Sequence, residues 1–504
     1  MKDNSTSEAF EFREITKRFG PVLANDRVSF SVGRGTLHGI VGENGAGKST
    51  IMKILYGMYP PDEGKVFVSG IERTMKSPGD AIRLGIGMVH QHFMLVPTLT
   101  VWENVILGHE PSRVLNQERI QHKLSQLIRD YGFSITADAV TESLSVGQQQ
   151  QVEILKLLYH NAQILILDEP TAVLTPQEVE LLFSRLTQLW KAGKTIVIIT
   201  HKLKEILRLT QRVTIMRKAR VVETIETATM NQSSLAEKII GRQLVALPSQ
   251  RSRPLSQTGI SVNQLSATDR DRGSLNDISF EVKAGEILGV AGVEGNGQAL
   301  LVECLAGVHK KYQGEILFHG RNLKQQSCYE MKQQDVAIIP ADRHREAAVL
   351  GFSVAENYLL GHHRENRFSR WGWLSGNRIH QIVRKALSDF DVRPQSPDAH
   401  FSALSGGNQQ KVIIAREFSP QTKIVIAAHP TRGVDIGAIE QIHQTLLRLK
   451  DNGAAILLVS SELEEILALS DRIVVLFNGK ISGTVNRSAA DEKTLGLWMT
   501  GGQT

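Results

Sequence analysis

The chain has 504 residues, 41% of them apolar and 22% charged, with a formal net charge of +6. That length exceeds one ordinary core and predicts about two to four domains, while the composition excludes a disordered or fibrous chain. The longest apolar runs, such as ILIL from Ile164 and the five residues after Arg472, fall far short of the roughly 20 residues that cross a bilayer.

No block of five basic residues occurs, so the mild positive excess lends nucleic-acid binding little support. An anionic membrane surface or ligand phosphates suit it equally well. The first ten residues lack the apolar centre of a secretion signal, and Cys304 and Cys328 are too few for a zinc cage. A reducing cytosolic setting is expected, with both cysteines as packing residues.

Early in the chain, Phe19 in ITKRFG is an aromatic placed to stack on a base. LHGIVG, ending at Gly42, reads as a buried strand, Gly45 to Gly47 as a turn, and KSTIMKILYGM from Lys48 as a helix. The stretch Gly42, Glu43, Asn44, Gly45, Ala46, Gly47, Lys48, Ser49, Thr50 thus matches the glycine-rich nucleotide loop at each required place. Its glycines let backbone N–H groups face a phosphate, and the following helix adds about half a positive charge at its start. Lys48 is expected on the β- and γ-phosphates and Ser49 on Mg²⁺.

Further along, Gln91 carries an amide able to reach that ion or water. Its neighbours His90 and His92 suggest a metal pair, but no third ligand accompanies them. LSVGQQQ follows at Leu144. QILILD then reads as a strand that ends on Asp168, a Mg²⁺ ligand, with Glu169 beside it to accept a proton from water. KTIVIIT is another strand and delivers His201 to the γ-phosphate; RVTIM is a third. Strands alternating with helical patterns predict α/β layers on a largely parallel sheet, with ligand at the carboxyl ends of the strands.

The second half repeats the first. Val28, Ser29, Phe30 and Gly35 reappear as Ile278, Ser279, Phe280 and Gly285, and LSVGQQQ returns as LSGGNQQ at Leu404. Two copies of one domain are expected, 8–244 and 260–502, joined by a Pro-, Ser- and Gln-rich linker over 245–259.

GENGAGKST, Gln91, LSVGQQQ, LILDEP and His201, in that order, resemble the ATPase domain of ABC transporters, and the tandem arrangement is similar to the double-ATPase subunits of bacterial simple-sugar and nucleoside importers. Residues 85–108 and PTRGVDIGA from Pro430 look most like the nucleoside branch; importers of ribose, other sugars or riboflavin share much of the pattern. The resemblance implies two tandem P-loop NTPase domains, each a mostly parallel sheet with an antiparallel β part and a helical subdomain.

It further implies ATP and Mg²⁺, two transmembrane permease subunits, a substrate-binding lipoprotein and no nucleic acid. The location it implies is the cytoplasmic face of the cell membrane, held there through the permease. In the family, each ATP lies between the phosphate loop of one domain and the LSGGQ signature of the other. Here the second half has Gln298 for Lys48, Ala299 for Ser49, Ala341 for Gln91, Ala428 for Asp168, His429 for Glu169 and Ser461 for His201. Its signature, Ser405, Gly406, Gly407 and Asn408, is intact, as is Asp435, whereas the first half has Val146 and Thr175 at the matching places. One hydrolytic site is therefore expected, made by the two halves pairing. Soluble tandem ABC ATPases that act on ribosomes or DNA are the alternative; they typically keep both phosphate loops.

Overall fold

A computed structural model describes residues 8–502 except 21, 92, 109–114, 172–173, 175, 244–253, 271, 294, 327, 371–372, 420 and 435. The chain divides into two compact units, 1–244 and 245–504.

In the first unit, β1 (Glu8–Phe19), β2 (Val22–Gly33), β4 (Glu63–Val68) and β5 (Ile71–Arg73) form an antiparallel sheet in the order β2-β1-β4-β5; β3 (Leu37–Gly42) leaves it to join the main sheet. That sheet runs β10-β9-β3-β8-β7-β6, adding β6 (Ile86–Val89), β7 (Ile164–Asp168), β8 (Thr195–Ile199), β9 (Arg212–Arg217) and β10 (Arg220–Glu226). All but β10 pair in parallel. Every residue of β3, β6, β7 and β8 is buried, which is why these segments are continuous apolar runs rather than alternating ones.

The helix after β3 spans Lys48–Leu55. It stops short of the expected extent because Tyr56 caps it and Gly57 turns left-handed at φ 80°. A helical layer covers the other part of the unit. There the helix Val146–Tyr159 begins in a capping box between Ser145 and Gln148 and buries Val152, Leu155 and Leu158.

The register gathers four loop ends. Ile40 of β3 and Asp168 of β7 both pair with Ile199 of β8, and Val89 of β6 pairs with Leu167. The segments that follow Gly42, Val89, Asp168 and Ile199 therefore emerge side by side at one edge of the sheet.

The second unit repeats this order. Its six-stranded sheet runs Val336–Ile339, Ile424–Ala428, Ala455–Ser460, Ile287–Ala291, Arg472–Phe477, Lys480–Asn486. Its first strand, Thr258–Asp269, begins inside the stretch read as linker, and Leu255 N already donates to Ala284 O at 2.8 Å.

Candidate functional site

The loop between β3 and its helix is shaped by glycines that have no room for a side chain. A Cβ on Gly42 would lie 2.1 Å from Met216 O. One on Gly47, at φ 93°, would lie 2.2 Å from Ala24 O and 2.5 Å from Asn25 Nδ2. Asn25, on β2, donates to Gly47 O at 3.2 Å, so the antiparallel sheet props the loop from beneath. Sequence reading missed Asn25, because nothing in a lone asparagine on a strand marks it. Glu43, Asn44, Gly45 and Ala46 form the bend, and Ser49 and Thr50 start the helix. Lys48 is buried, its Nζ donating to Gly42 O and Glu43 O at 2.9 Å each. The ammonium is thus folded back along its own loop, at the start of the helix.

The sheet edge brings the remaining candidates together. Ser49 Oγ donates to Asp168 Oδ1 at 3.0 Å across 119 residues of sequence. Glu169, the next residue, has both carboxylate oxygens held: His201 Nδ1 lies 3.1 Å from Oε1, and Gln91 Nε2 donates to Oε2 at 3.2 Å. Burial alone would raise the Glu169 carboxyl; the His201 hydrogen bond and charge, with Lys48 and Lys202, hold it below the ordinary value. Burial raises its neighbour Asp168, against the Ser49 bond. The two adjacent carboxyls are thus shifted in opposite directions. Glu169 also takes φ 49°, a left-handed backbone that costs a non-glycine residue about 1–3 kcal/mol and recurs at functional positions.

Phe19 is not gathered into this cluster. It ends β1 beside Val22, 41% exposed, its ring edge-on to Tyr59 at 5.1 Å. The same hairpin carries Asn25, so the part-exposed ring, with Lys17 Nζ 5.5 Å over it, lies at the end of the element that supports the loop. His90 packs edge-on against Tyr56 at 5.8 Å; His92 lies outside the described residues.

The second unit keeps the backbone and changes the chemistry. His429 adopts φ 45° where Glu169 has 49°, and His429 N donates to Val459 O just as Glu169 N does to Ile199 O. Ala428 and Ser461 stand beside it, with no carboxylate or imidazole of their own. Gln298 fills the lysine's place and donates from Nε2 to Val293 O at 2.9 Å. Its Oε1 is buried with no partner among the described residues, so an acceptor stands where the first unit has a cation.

The signature of this unit is well formed. Ser405 caps the helix Gly406–Glu417, its Oγ accepting from Asn408 N at 3.4 Å and also from Asn408 Nδ2 at 2.9 Å. A Cβ on Gly406 would sit 2.5 Å from the Arg343 guanidinium, which would have to swing aside to admit a larger residue; Val146, its counterpart, is 44% exposed. Gly407 is buried at the start of that helix. Asp435 and Thr175 lie outside the described residues.

A nucleotide loop with its lysine, a serine–aspartate pair and a buffered glutamate, set on this sheet order, define an ATP-binding module, here present twice with one copy altered. The profile of the ABC transporter family matches residues 25–172 and 275–432. The nucleoside import ATP-binding protein NupA of Lactococcus lactis subsp. cremoris (strain MG1363) is 43% identical over 493 residues, 97% of each chain. The guanosine import ATP-binding protein NupO of Bacillus subtilis (strain 168) is 42% identical over 494 residues, again 97% of each. The glucose import ATP-binding protein TsgD13 of Haloferax volcanii is 40% identical over 532 residues, 99% of this chain and 96% of that one. The chain belongs to the ABC transporter family, as a protein with two ATPase modules in one polypeptide.

Proposed function

We propose that this chain is the ATP-hydrolysing, energy-coupling subunit of an importer whose cargo is a nucleoside. The observation that carries the hydrolytic part is Glu169, held through both oxygens by His201 and Gln91 beside Lys48, Ser49 and Asp168. In this reading the loop N–H groups of Gly42 to Thr50 and Lys48 bind the β- and γ-phosphates, and Phe19 covers the adenine. Glu169 accepts a proton from water as the water oxygen bonds to the γ-phosphorus; the bond from that phosphorus to the bridging oxygen breaks, and ADP and phosphate leave. His201 orients Glu169 and bonds the γ-phosphate. The hydroxyl of Ser49, the Asp168 carboxylate and the Gln91 amide oxygen are the hard donors that suit Mg²⁺, whose charge would offset that of the phosphates.

Ser405, Gly406, Gly407, Asn408 and Asp435 of the second unit complete this nucleotide site in the same proposal, the two halves pairing. The second loop, with Gln298 in place of lysine, does not hydrolyse.

The subunit works with two permease subunits and a substrate-binding lipoprotein, at the cytoplasmic face of the membrane; no helix among the described residues is long and apolar enough to cross it. A cavity of about 270 Å³ lined by Tyr56, Met58, Met88, His90, Met94 and Glu153 is the proposed seat of the permease. Adaptable methionines suit a partner helix, and His90 precedes the glutamine that grips Glu169.

Uptake of labelled nucleosides, ribose, glucose and riboflavin, in cells carrying the chain with its permease and binding protein, tests the reading. Nucleoside uptake that Lys48→Ala abolishes supports it. Sugar uptake instead would favour the second reading, which the glucose-import relative supports. Uptake of none, with the chain found on ribosomes, would overturn both.

A further inference from the structure

Glu169 and His201 stand on different loops, at the ends of β7 and β8, so their 3.1 Å contact depends on how those loops are held apart. One tie is backbone: Glu169 N donates to Ile199 O at 2.8 Å. The other is a side chain. Glu205, on the helix Leu203–Leu209, accepts at Oε2 from Thr171 Oγ1 at 2.8 Å and from Thr200 Oγ1 at 3.3 Å. Thr171 is two residues past Glu169, and Thr200 immediately precedes His201. A single carboxylate oxygen therefore joins the two segments that carry the catalytic pair.

Lys202 closes the link. Its Nζ donates to Thr171 O at 3.3 Å and lies 3.9 Å from Glu205 Oε1, supplying a cation beside a carboxylate whose side chain is only 12% exposed. Without a nearby cation, burying that charge is costly.

The second unit shows which part of this belongs to the fold and which to the reaction. Glu465, buried, accepts from Thr431 Oγ1 at 2.8 Å and from the Ser460 hydroxyl, as Glu205 does from Thr171 and Thr200, so the carboxylate bridge itself belongs to the fold. Where the first unit has Lys202, however, it has Glu462, and the partner of its carboxylate is His443 Nε2, 3.2 Å away on the helix Ile436–Asp451. The module that lost its glutamate and histidine kept a buried carboxylate and lost the lysine that reaches the loop carbonyl.

We propose that Glu205, with Lys202, is a positioning residue for ATP hydrolysis, fixing the separation and orientation of Glu169 and His201. The inference rests on the reading of that pair as catalytic. Loosening the link displaces the base by a fraction of an ångström while leaving the phosphate loop intact, so it lowers kcat and spares KM.

The experiment measures steady-state ATPase of the full chain with its permease for Glu205→Ala, Glu205→Gln, Lys202→Met and Glu465→Ala, with a melting temperature for each. Glu205→Ala is expected to lower kcat about tenfold with KM for ATP within about twofold, a misplacement effect. Glu205→Gln, which keeps the acceptor oxygen and the fold but not the charge beside Lys202, should lose less, as should Lys202→Met. Glu465→Ala should leave kcat within about twofold. In a His201→Ala background Glu205→Ala should add little, because the two act on one arrangement. A wild-type kcat in Glu205→Ala overturns the inference. So do equal losses of rate and melting temperature in Glu205→Ala and Glu465→Ala, which would make the carboxylate a fold element only. Glu169→Gln is the separate check: full activity there removes the catalytic reading itself, whatever Glu205 does.

Discussion

Glu169 and His429 occupy the same backbone, at φ 49° and 45°, yet only Glu169 stands beside an aspartate and against His201. Replacing Glu169 with Gln removes the base and leaves the loop and Lys48, so turnover should fall at least about 100-fold while ATP stays bound. Phosphate release and retained labelled nucleotide report the two quantities. His429→Ala should keep the rate within about twofold, and a large loss would sink the view that hydrolysis occurs at one site. The candidates at this scale were legible in the sequence because phosphate chemistry demands particular atoms at a strand–loop–helix junction. Asn25, Thr171, Thr200 and Glu205 were not legible: each acts through a hydrogen bond to a residue distant in sequence or to a loop whose path the sequence does not show.

At the scale of elements, two predictions concern how strands hold the loop. Gly47→Ala drives a Cβ into Ala24 O and Asn25, at a left-handed φ as well. It should cost about 1–3 kcal/mol and abolish hydrolysis, measured by melting and phosphate release. His38 sits on β3, 1% exposed, with Nε2 2.8 Å from Thr214 Oγ1. Burial, helped by Arg212, lowers its pKa from 6.5 to about 4. The folded state therefore binds fewer protons than the unfolded one between those values. Stability present above about pH 6.5 should fall by about 3 kcal/mol as pH drops to about 4, and flatten below. His38→Gln should remove that slope from a melting-temperature profile against pH. The strands at this edge were readable from apolar runs alone; the early end of the Lys48–Leu55 helix was not, since Gly57 stops it through a tertiary turn in which a Cβ would meet Ser77 O at 2.5 Å.

For the whole molecule, the prediction concerns division of labour between two copies. If the signature of the second unit serves the nucleotide of the first, Ser405→Arg should reduce hydrolysis at least tenfold with Lys48, Asp168, Glu169 and His201 all present, as expected when a group acting on the transition state is blocked. Ser145→Arg, in the other signature, should leave about half the rate or more. ATPase assays on purified chain with its permease decide it; equal losses would mean two working sites.

The duplication, the nucleotide loop, the acid pair and the selective loss of lysine, serine, aspartate, glutamate and histidine in one copy were determined by the sequence itself. Those features are short-range: a phosphate contact needs fixed residue types within a few positions. The tertiary structure alone decided that Gln91 and His201 grip the two oxygens of Glu169, that the second unit retains the strained backbone without that carboxylate, and that the Arg343 guanidinium lies against Gly406. Each of these depends on which strand ends lie side by side. Parallel register across crossovers of tens of residues sets that order, and no local pattern in the chain records it.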